Sequence, residues 1–252
     1  MELTPGKKIY FLSDFHLGAP NELESRKRED RLVQFLQHAK KDAAAFFIVG
    51  DIFDFWFEYK TVVPKGFVRI LGCLAQISDE GIPLHIFTGN HDLWMQDYLA
   101  KELNAKVYFE PQTFTLGSKQ FLIGHGDGLG PGDYGYKRLK KIFTNPFCKW
   151  LFRWMHPDAG IKLANYFSAK SRAKTGSADE VFLGADKEWL IIYCKEQAQK
   201  MDVDYFVFGH RHFAIDYSIN ERSRYINLGD WIKLNTDGVF DGDTMQLLKW
   251  ES

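Results

Sequence analysis

The sequence predicts an α/β fold built on a mostly parallel sheet, and three observations predict it. Short β-rich apolar runs at Lys8–Ser13, Phe46–Val49 and Pro83–Thr88 alternate with helical patterns near Arg26–Lys41 and Phe67–Ser78, the βαβαβ order that winds a parallel sheet. Each run stops at a polar cluster: SDFH, GDIFD and GNHD in turn. The second half repeats the habit, with Gln120–Gly124 ending in HGD and Tyr205–Phe208 ending in GHRH.

Taken in order, Lys8–Ser13 is a short strand that runs directly into Asp14, too short an apolar run for a signal peptide. Phe46–Val49 closes the longest apolar stretch, Ala43–Val49, which is far below the roughly 18 residues of a membrane span. Past Lys106 the pattern changes to short strands at Thr113–Leu116 and Gln120–Gly124. A helical pattern returns from Ala178 to Met201, and the short strands from Tyr205 to Trp250 read as a second sheet. No repeat, low-complexity tract or Pro/Gly/Ser linker divides the chain, so residues 1–252 are expected to form one domain.

Between the halves, Tyr134–Gly176 holds ten Lys and Arg residues against one acid, Asp158, a charge of +9 that leaves −10 for the rest of the chain. Aromatic residues are interleaved with this charge, and Pro146 and Pro157 divide it, so short amphipathic helices are expected. We read residues 131–177, approximately, as a helical insertion over the sheet edge. The bland alternative is a solvated cap whose aromatic residues pack on the body.

The whole-chain balance is ordinary: 45% hydrophobic, 26% charged and net charge −1. This excludes disorder, and it excludes a global field for gripping nucleic acid, which is therefore not an expected partner. Three widely spaced cysteines, Cys73, Cys148 and Cys194, fit a reducing compartment and no thiolate zinc site. A cytoplasmic location follows as the expectation.

A histidine or aspartate at a strand end, taken singly, reads as a loop residue satisfying backbone N–H groups. The ordered set D-x-H, G-D-x-x-D, G-N-H-D, H-G-D and G-H-x-H is different. Asp14, His16, Asp51, Asn90, His125, His210 and His212 offer seven oxygen or imidazole donors, too many for one tetrahedral site and suited to two divalent ions. Asp51, on the middle strand, is the natural bridge. Open α/β sheets place ligands at this carboxyl edge.

These five blocks resemble the calcineurin-like metallophosphoesterases, whose fold is an α/β/β/α sandwich of two mixed sheets. The resemblance implies that Asp14, His16 and His212 hold one metal, that Asn90, His125 and His210 hold the other, and that Asp51 bridges. It makes His91 the proton donor or phosphate binder, with Asp54 orienting it. The run HGDGLGPGDYGYKRLKKIFTNPFCKWLFRW, the SAKSRAK stretch and GDIFDFWF look like the UDP-2,3-diacylglucosamine pyrophosphohydrolases of lipid A synthesis. Those are manganese-dependent peripheral enzymes of the inner membrane's cytoplasmic face, and they release UMP and a diacyl sugar 1-phosphate.

That resemblance implies a UDP-linked diacylated glucosamine lipid as substrate, two divalent ions (Mn²⁺), the inner-membrane surface as a partner and no obligate protein partner. It places substrate contacts on Asn90, His91, Asp133, Ser171, Thr175 and His210. The chain departs from it twice: His91 stands where the best-known branch has arginine, and a lysine expected after Thr175 falls near Ala178, leaving Arg172 or Lys174 to replace it. Two alternatives stay open: a metallophosphoesterase of other specificity, such as a nucleotide pyrophosphatase or phosphodiesterase, and a catalytically silent lipid- or nucleotide-binding protein.

Overall fold

Side chains alternate along a strand, and here the alternation sends Ile9 and Phe11 to one core and Tyr10 and Leu12 to another. The computed structural model describes residues 1–132, 134–175, 182 and 184–251, with the backbone alone for 169–175. In chain order its elements are β1 (Lys8–Leu12), α1 (Glu22–Ala39), β2 (Ala43–Val49), α2 (Val68–Asp79), β3 (Leu84–Phe87), α3 (Tyr98–Glu102), β4 (Lys106–Tyr108), β5 (Gln112–Leu116) and β6 (Lys119–Ile123). There follow α4 (Tyr134–Thr144), α5 (Pro146–Trp154), α6 (Pro157–Thr175), α7 (Trp189–Ala198), β7 (Tyr205–Phe208), β8 (Ala214–Ser218), β9 (Arg224–Leu228), β10 (Thr236–Phe240) and β11 (Met245–Lys249).

One sheet has the order β11-β10-β1-β2-β3-β4 and the other β5-β6-β7-β9-β8. Strands β1 to β4 pair in parallel, as do β6, β7 and β9, while β10, β11, β5 and β8 pair antiparallel. Three apolar clusters separate four layers. Tyr10, Phe46 and Ile48 meet Leu32, Phe35 and Ile70 of the first helix pair; Phe11, Phe47 and Phe121 fill the space between the sheets; Phe206 and Tyr225 meet Leu190 and Cys194 of α7. This is the α/β/β/α sandwich of two mixed sheets.

The first helices are built to hold the sheet edge. Asn21 caps α1 by accepting from the Glu24 N–H, and Glu22 and Glu24 sit in its positive first turn. From within α1, buried Arg28 donates to the carbonyls of Phe15, His16 and Ala19, pinning the loop that leaves β1. Helix α2 has no cap side chain of its own; Glu29 of α1 accepts from the Arg69 and Ile70 N–H groups instead.

The last strands correct the sequence reading. Strands β10 and β11 return to the first sheet, where β10 pairs with β1. Short antiparallel strands carry no signal for which sheet they join; the inward faces of Phe240 and Met245 fit the inter-sheet core from either side. Strand β4 likewise extends the first sheet, and the helix expected from Ala178 starts at Trp189 among the described residues. Both insertion prolines open helices, where a missing N–H costs nothing. Among the described residues no helix is long and apolar enough to cross a membrane.

On β10, Asp237 shares the Val239 face, buried beneath the first helix layer. Burial pushes its carboxyl up to about 7, above its unfolded value, so its ionisation opposes folding progressively as the pH rises from about 4 through 7. Asp237→Asn is therefore expected to raise Tm at pH 8 by at least about 2 °C, near 1 kcal/mol, with the gain vanishing toward pH 4. Thermal melts across that range check it; a pH-independent difference contradicts the assignment.

Candidate metal centre

The polar blocks leave their strands through strained backbone. Asp14, His16, Asp51, His210 and His212 all have positive φ, between 43° and 69°, a conformation that side-chain-bearing residues seldom adopt and that structures retain at functional sites. Glycines clear space beside them. A Cβ at Gly50 would collide with the His125 ring, and one at Gly89 with the Asp51 carboxylate, so both positions need hydrogen in place of a side chain.

The donor atoms converge. His16 Nε2 lies 3.2 Å from His212 Nε2, 3.6 Å from Asp14 Oδ1 and 3.5 Å from Asp51 Oδ2. His212 Nε2 is 3.3 Å from Asp14 Oδ1, and His125 Nε2 is 3.3 Å from both Asp51 Oδ2 and Asn90 Oδ1. The His210 ring packs edge-on to His125, with centroids 5.2 Å apart, and its backbone N–H donates to Asp14 Oδ2. Asp51 Oδ2 thus stands between the His16 side and the His125 side.

Two of the imidazoles are hydrogen-bonded from behind and two more face carboxylates there. His125 Nδ1 lies 2.9 Å from the Val49 carbonyl, His91 Nδ1 lies 2.9 Å from the Asp54 carbonyl, and the Nδ1 atoms of His212 and His16 lie 3.6 Å and 3.5 Å from Asp230 and Asp54 carboxylates. For His125 the carbonyl at Nδ1 selects the tautomer whose Nε2 lone pair faces inward, as metal-bound histidines require. Asp14 Oδ1 is buried with no hydrogen bond, although two imidazole nitrogens surround it. His16 Nε2 and His212 Nε2, 3.2 Å apart, can share only one hydrogen between them, and a cation beside both would satisfy the pair and the orphaned carboxylate oxygen together. The donor set therefore fits divalent ions: three groups of ligating atoms, Asp14–His16–His212, His16–Asp51–His91 and Asp14–Asp51–His125, each lie within 4.8 Å of one another.

Electrostatics point the same way. Burial opposes ionisation of Asp51, yet His125, His91 and His16 hold its carboxyl below the usual carboxylate range. Against its own burial, His125 is raised to about 10 by the Asp51 and Asp14 carboxylates, and His212 likewise to about 10 by Asp14 and Asp230. His210, desolvated and beside His125, is lowered to about 4. The buried carboxylates draw positive charge to this edge.

The family model for calcineurin-like phosphoesterases matches residues 7–214. The chain belongs to this family. Among curated relatives of this phosphoesterase, a UDP-2,3-diacylglucosamine hydrolase of Porphyromonas gingivalis is 39% identical, covering 97% of this chain and 98% of that protein. Proteins of the same name from Pseudomonas putida and Actinobacillus succinogenes are 28% and 27% identical, covering 96% and 89% of this chain and 99% and 92% of theirs.

The phosphoesterase fold brings all seven candidate ligands, together with His91 and Asp54, to one edge. Of the expected substrate contacts, Asn90, His91 and His210 lie there, Asp133 lies outside the described residues, and the side chains of Ser171, Arg172, Lys174 and Thr175 are likewise not described. Several supporting residues carried no sequence signal strong enough to single them out. Buried Asp92 accepts from the Gly89 and Ile52 N–H groups, binding the second and third blocks together. Asp230 backs His212. Buried Arg211, between two candidate ligands, pairs with Glu188 at 3.1 Å and lies 4.2 Å from the Trp189 ring. Asp127 of the HGD block accepts from Tyr136 and Lys140, tying α4 to the loop that carries His125. For Asp92 and Asp127 the last letters of GNHD and HGD were the available hint.

Because Asp51 touches both sides of the centre, Asp51→Ala is expected to lose both ions, whereas His212→Ala should retain close to one. Metal analysis of Mn²⁺-loaded, gel-filtered protein reads the difference. Two ions per chain in Asp51→Ala would remove the bridge.

Proposed function

We propose that this phosphoesterase hydrolyses the pyrophosphate of a UDP-linked diacylated glucosamine, giving UMP and 2,3-diacylglucosamine 1-phosphate, a step of lipid A synthesis. The observation that carries the reading is the roof: a basic, aromatic helical insertion lies on the edge where the candidate ligands meet. Its support beyond this chain is near-full-length similarity to proteins named for that hydrolysis. Asp14, His16 and His212 would hold one divalent ion, Asn90, His125 and His210 a second, with Asp51 common to both and Mn²⁺ the ion we favour.

When bound, such a pair of ions supplies charge for the phosphoryl oxygens and activates water. The chain's own residues bind and orient. His91, its Nδ1 turned to Asp54, lies beside His16 and Asp51, with the His16 and His91 ring centroids 4.7 Å apart. There it serves as donor to a phosphate oxygen or to the departing sugar phosphate. The latter is already a good leaving group, so neutralising its charge outweighs protonating it.

The insertion divides its aromatic residues between two jobs. Phe143 and Phe152 pack on Trp94, with centroids 5.5 Å and 4.7 Å away, and Phe152 also meets Phe57. Their apolar area is spent on seating the helices. Phe147, Trp150, Leu151 and Trp154 remain exposed, the first two stacked at 5.9 Å. An apolar strip on a +9 segment suits acyl chains and the anionic cytoplasmic surface of an inner membrane, which makes the phosphoesterase a peripheral, cytoplasmic-side protein in this reading.

Incubating the purified protein and Mn²⁺ with UDP-2,3-diacylglucosamine, then weighing the products by mass spectrometry, should show UMP and the diacyl sugar 1-phosphate. Equal kcat/KM on soluble UDP-N-acetylglucosamine would favour a nucleotide pyrophosphatase, and no turnover of any phosphodiester would favour a silent binder. The combined change of Phe147, Trp150 and Trp154 to serine should lower kcat/KM for the diacyl substrate at least tenfold, each buried methylene being worth about 0.8 kcal/mol. Hydrolysis of bis(4-nitrophenyl) phosphate should change less than twofold. Equal losses on both substrates would show that the strip is structural only.

A further inference from the structure

The His91 and Asp54 side chains face each other without closing to a short hydrogen bond. Asp54 Oδ1 lies 3.5 Å from His91 Nδ1 and an equal 3.5 Å from His16 Nδ1, too far for a good hydrogen bond to either. The Asp54 backbone carbonyl, at 2.9 Å, holds the His91 ring directly. A carbonyl fixes which nitrogen carries the proton but supplies none of the charge that a carboxylate brings to an imidazole.

A residue of the insertion closes the gap. Ser168, on α6 and 114 residues from Asp54 in sequence, places its Oγ 3.0 Å from Asp54 Oδ2 and 3.1 Å from His91 Nδ1. A hydroxyl donates one hydrogen bond and accepts others. With the carboxylate able only to accept, the hydroxyl proton points to Asp54, and its lone pair faces a Nδ1–H shared with the Asp54 carbonyl. A helical serine ordinarily turns back to its own backbone; this one reaches across to two side chains of the site.

The helix that carries Ser168 is fixed close to the body. A Cβ at Gly160 of α6 would lie 2.7 Å from the Tyr59 hydroxyl and 3.1 Å from Phe152, so glycine permits the approach. The same insertion grips the loop beyond His91: Trp94 Nε1 donates to the Phe143 carbonyl at 2.6 Å, and Arg153 donates to Gln96 Oε1 at 3.2 Å. Ser168 therefore meets Asp54 and His91 from a helix whose place is set independently.

We infer that Ser168 is a positioning residue for the reaction: from the insertion it joins the Asp54 carboxylate to His91 Nδ1 and so orients His91 toward the substrate phosphate. This rests on the proposed role of His91. Removing a partner that orients a site residue typically costs ten- to a hundredfold, and the serine acts only through His91.

The test is a double-mutant cycle on the Mn²⁺-loaded protein, read in parallel on UDP-2,3-diacylglucosamine and on bis(4-nitrophenyl) phosphate. Ser168→Ala should lower kcat about tenfold with KM within twofold of wild type and two ions still bound, and Ser168→Thr should restore at least half of kcat. In a His91→Gln background, Ser168→Ala should change kcat less than twofold. Equal losses in both backgrounds, a change confined to KM, failure of Ser168→Thr to rescue, or unfolding of the alanine variant would each overturn the inference. A wild type that hydrolyses only the aryl diester would sink the substrate assignment instead, and the cycle is then decided on that diester.

Discussion

Two buried carboxylates, Asp14 and Asp51, must stand within 4 Å of imidazoles drawn from the loops after β1, β6 and β7, and almost every unusual feature of the chain serves that gathering. Charge this dense is tolerated out of water only when opposite charge lies beside it. Left-handed backbone at Asp14, His16, Asp51, His210 and His212 turns the side chains inward. Arg28 and Asp92 then tie the strained loops to α1 and to one another. The sandwich itself is the frame for this: parallel strands deliver their carboxyl ends to one edge, and α1 and α7 back the two sheets with Arg28 and with the start of α7 beside Arg211.

Much of this was legible in the residues. The βαβαβ alternation located β1 to β3 and their helices to within a few residues, and polar blocks at strand ends located the site, because a cluster of carboxylate and imidazole at the end of an apolar run has few other physical uses. Membership in the phosphoesterases bears out the resemblance those blocks suggested. What stayed hidden was chosen by tertiary packing. The return of β10 and β11 to the first sheet depends on which edge was left unpaired, and an antiparallel hairpin such as Thr236–Lys249 does not record that. Arg211 sits between two histidines as if it were an exposed spacer, yet Glu188 and the Trp189 ring bury it.

The insertion shows the same limit in another form. Its charge and aromatic content separated it from the rest of the chain, but Phe143 and Phe152 could not be told from Phe147 and Trp154 without knowing where the helices touch down. Proline at the start of α5 and α6 resets the helical phase twice, so periodicity fails where it is needed most. Ser168 was invisible for a related reason: nothing in an isolated serine announces a partner 114 residues away.

Several of the contacts that seat the insertion fall on one short stretch after β3, running from His91 through Trp94 to Gln96. That stretch and the insertion are one inheritable part, although forty residues and three strands separate them in the gene. A chimera that borrowed the helices of a relative and kept the native 90–98 loop would put other side chains against the Trp94 ring and leave His91 without its serine. Exchanged together, the two pieces carry their own fit with them, and diversification of this roof among relatives is expected to proceed by paired change in both.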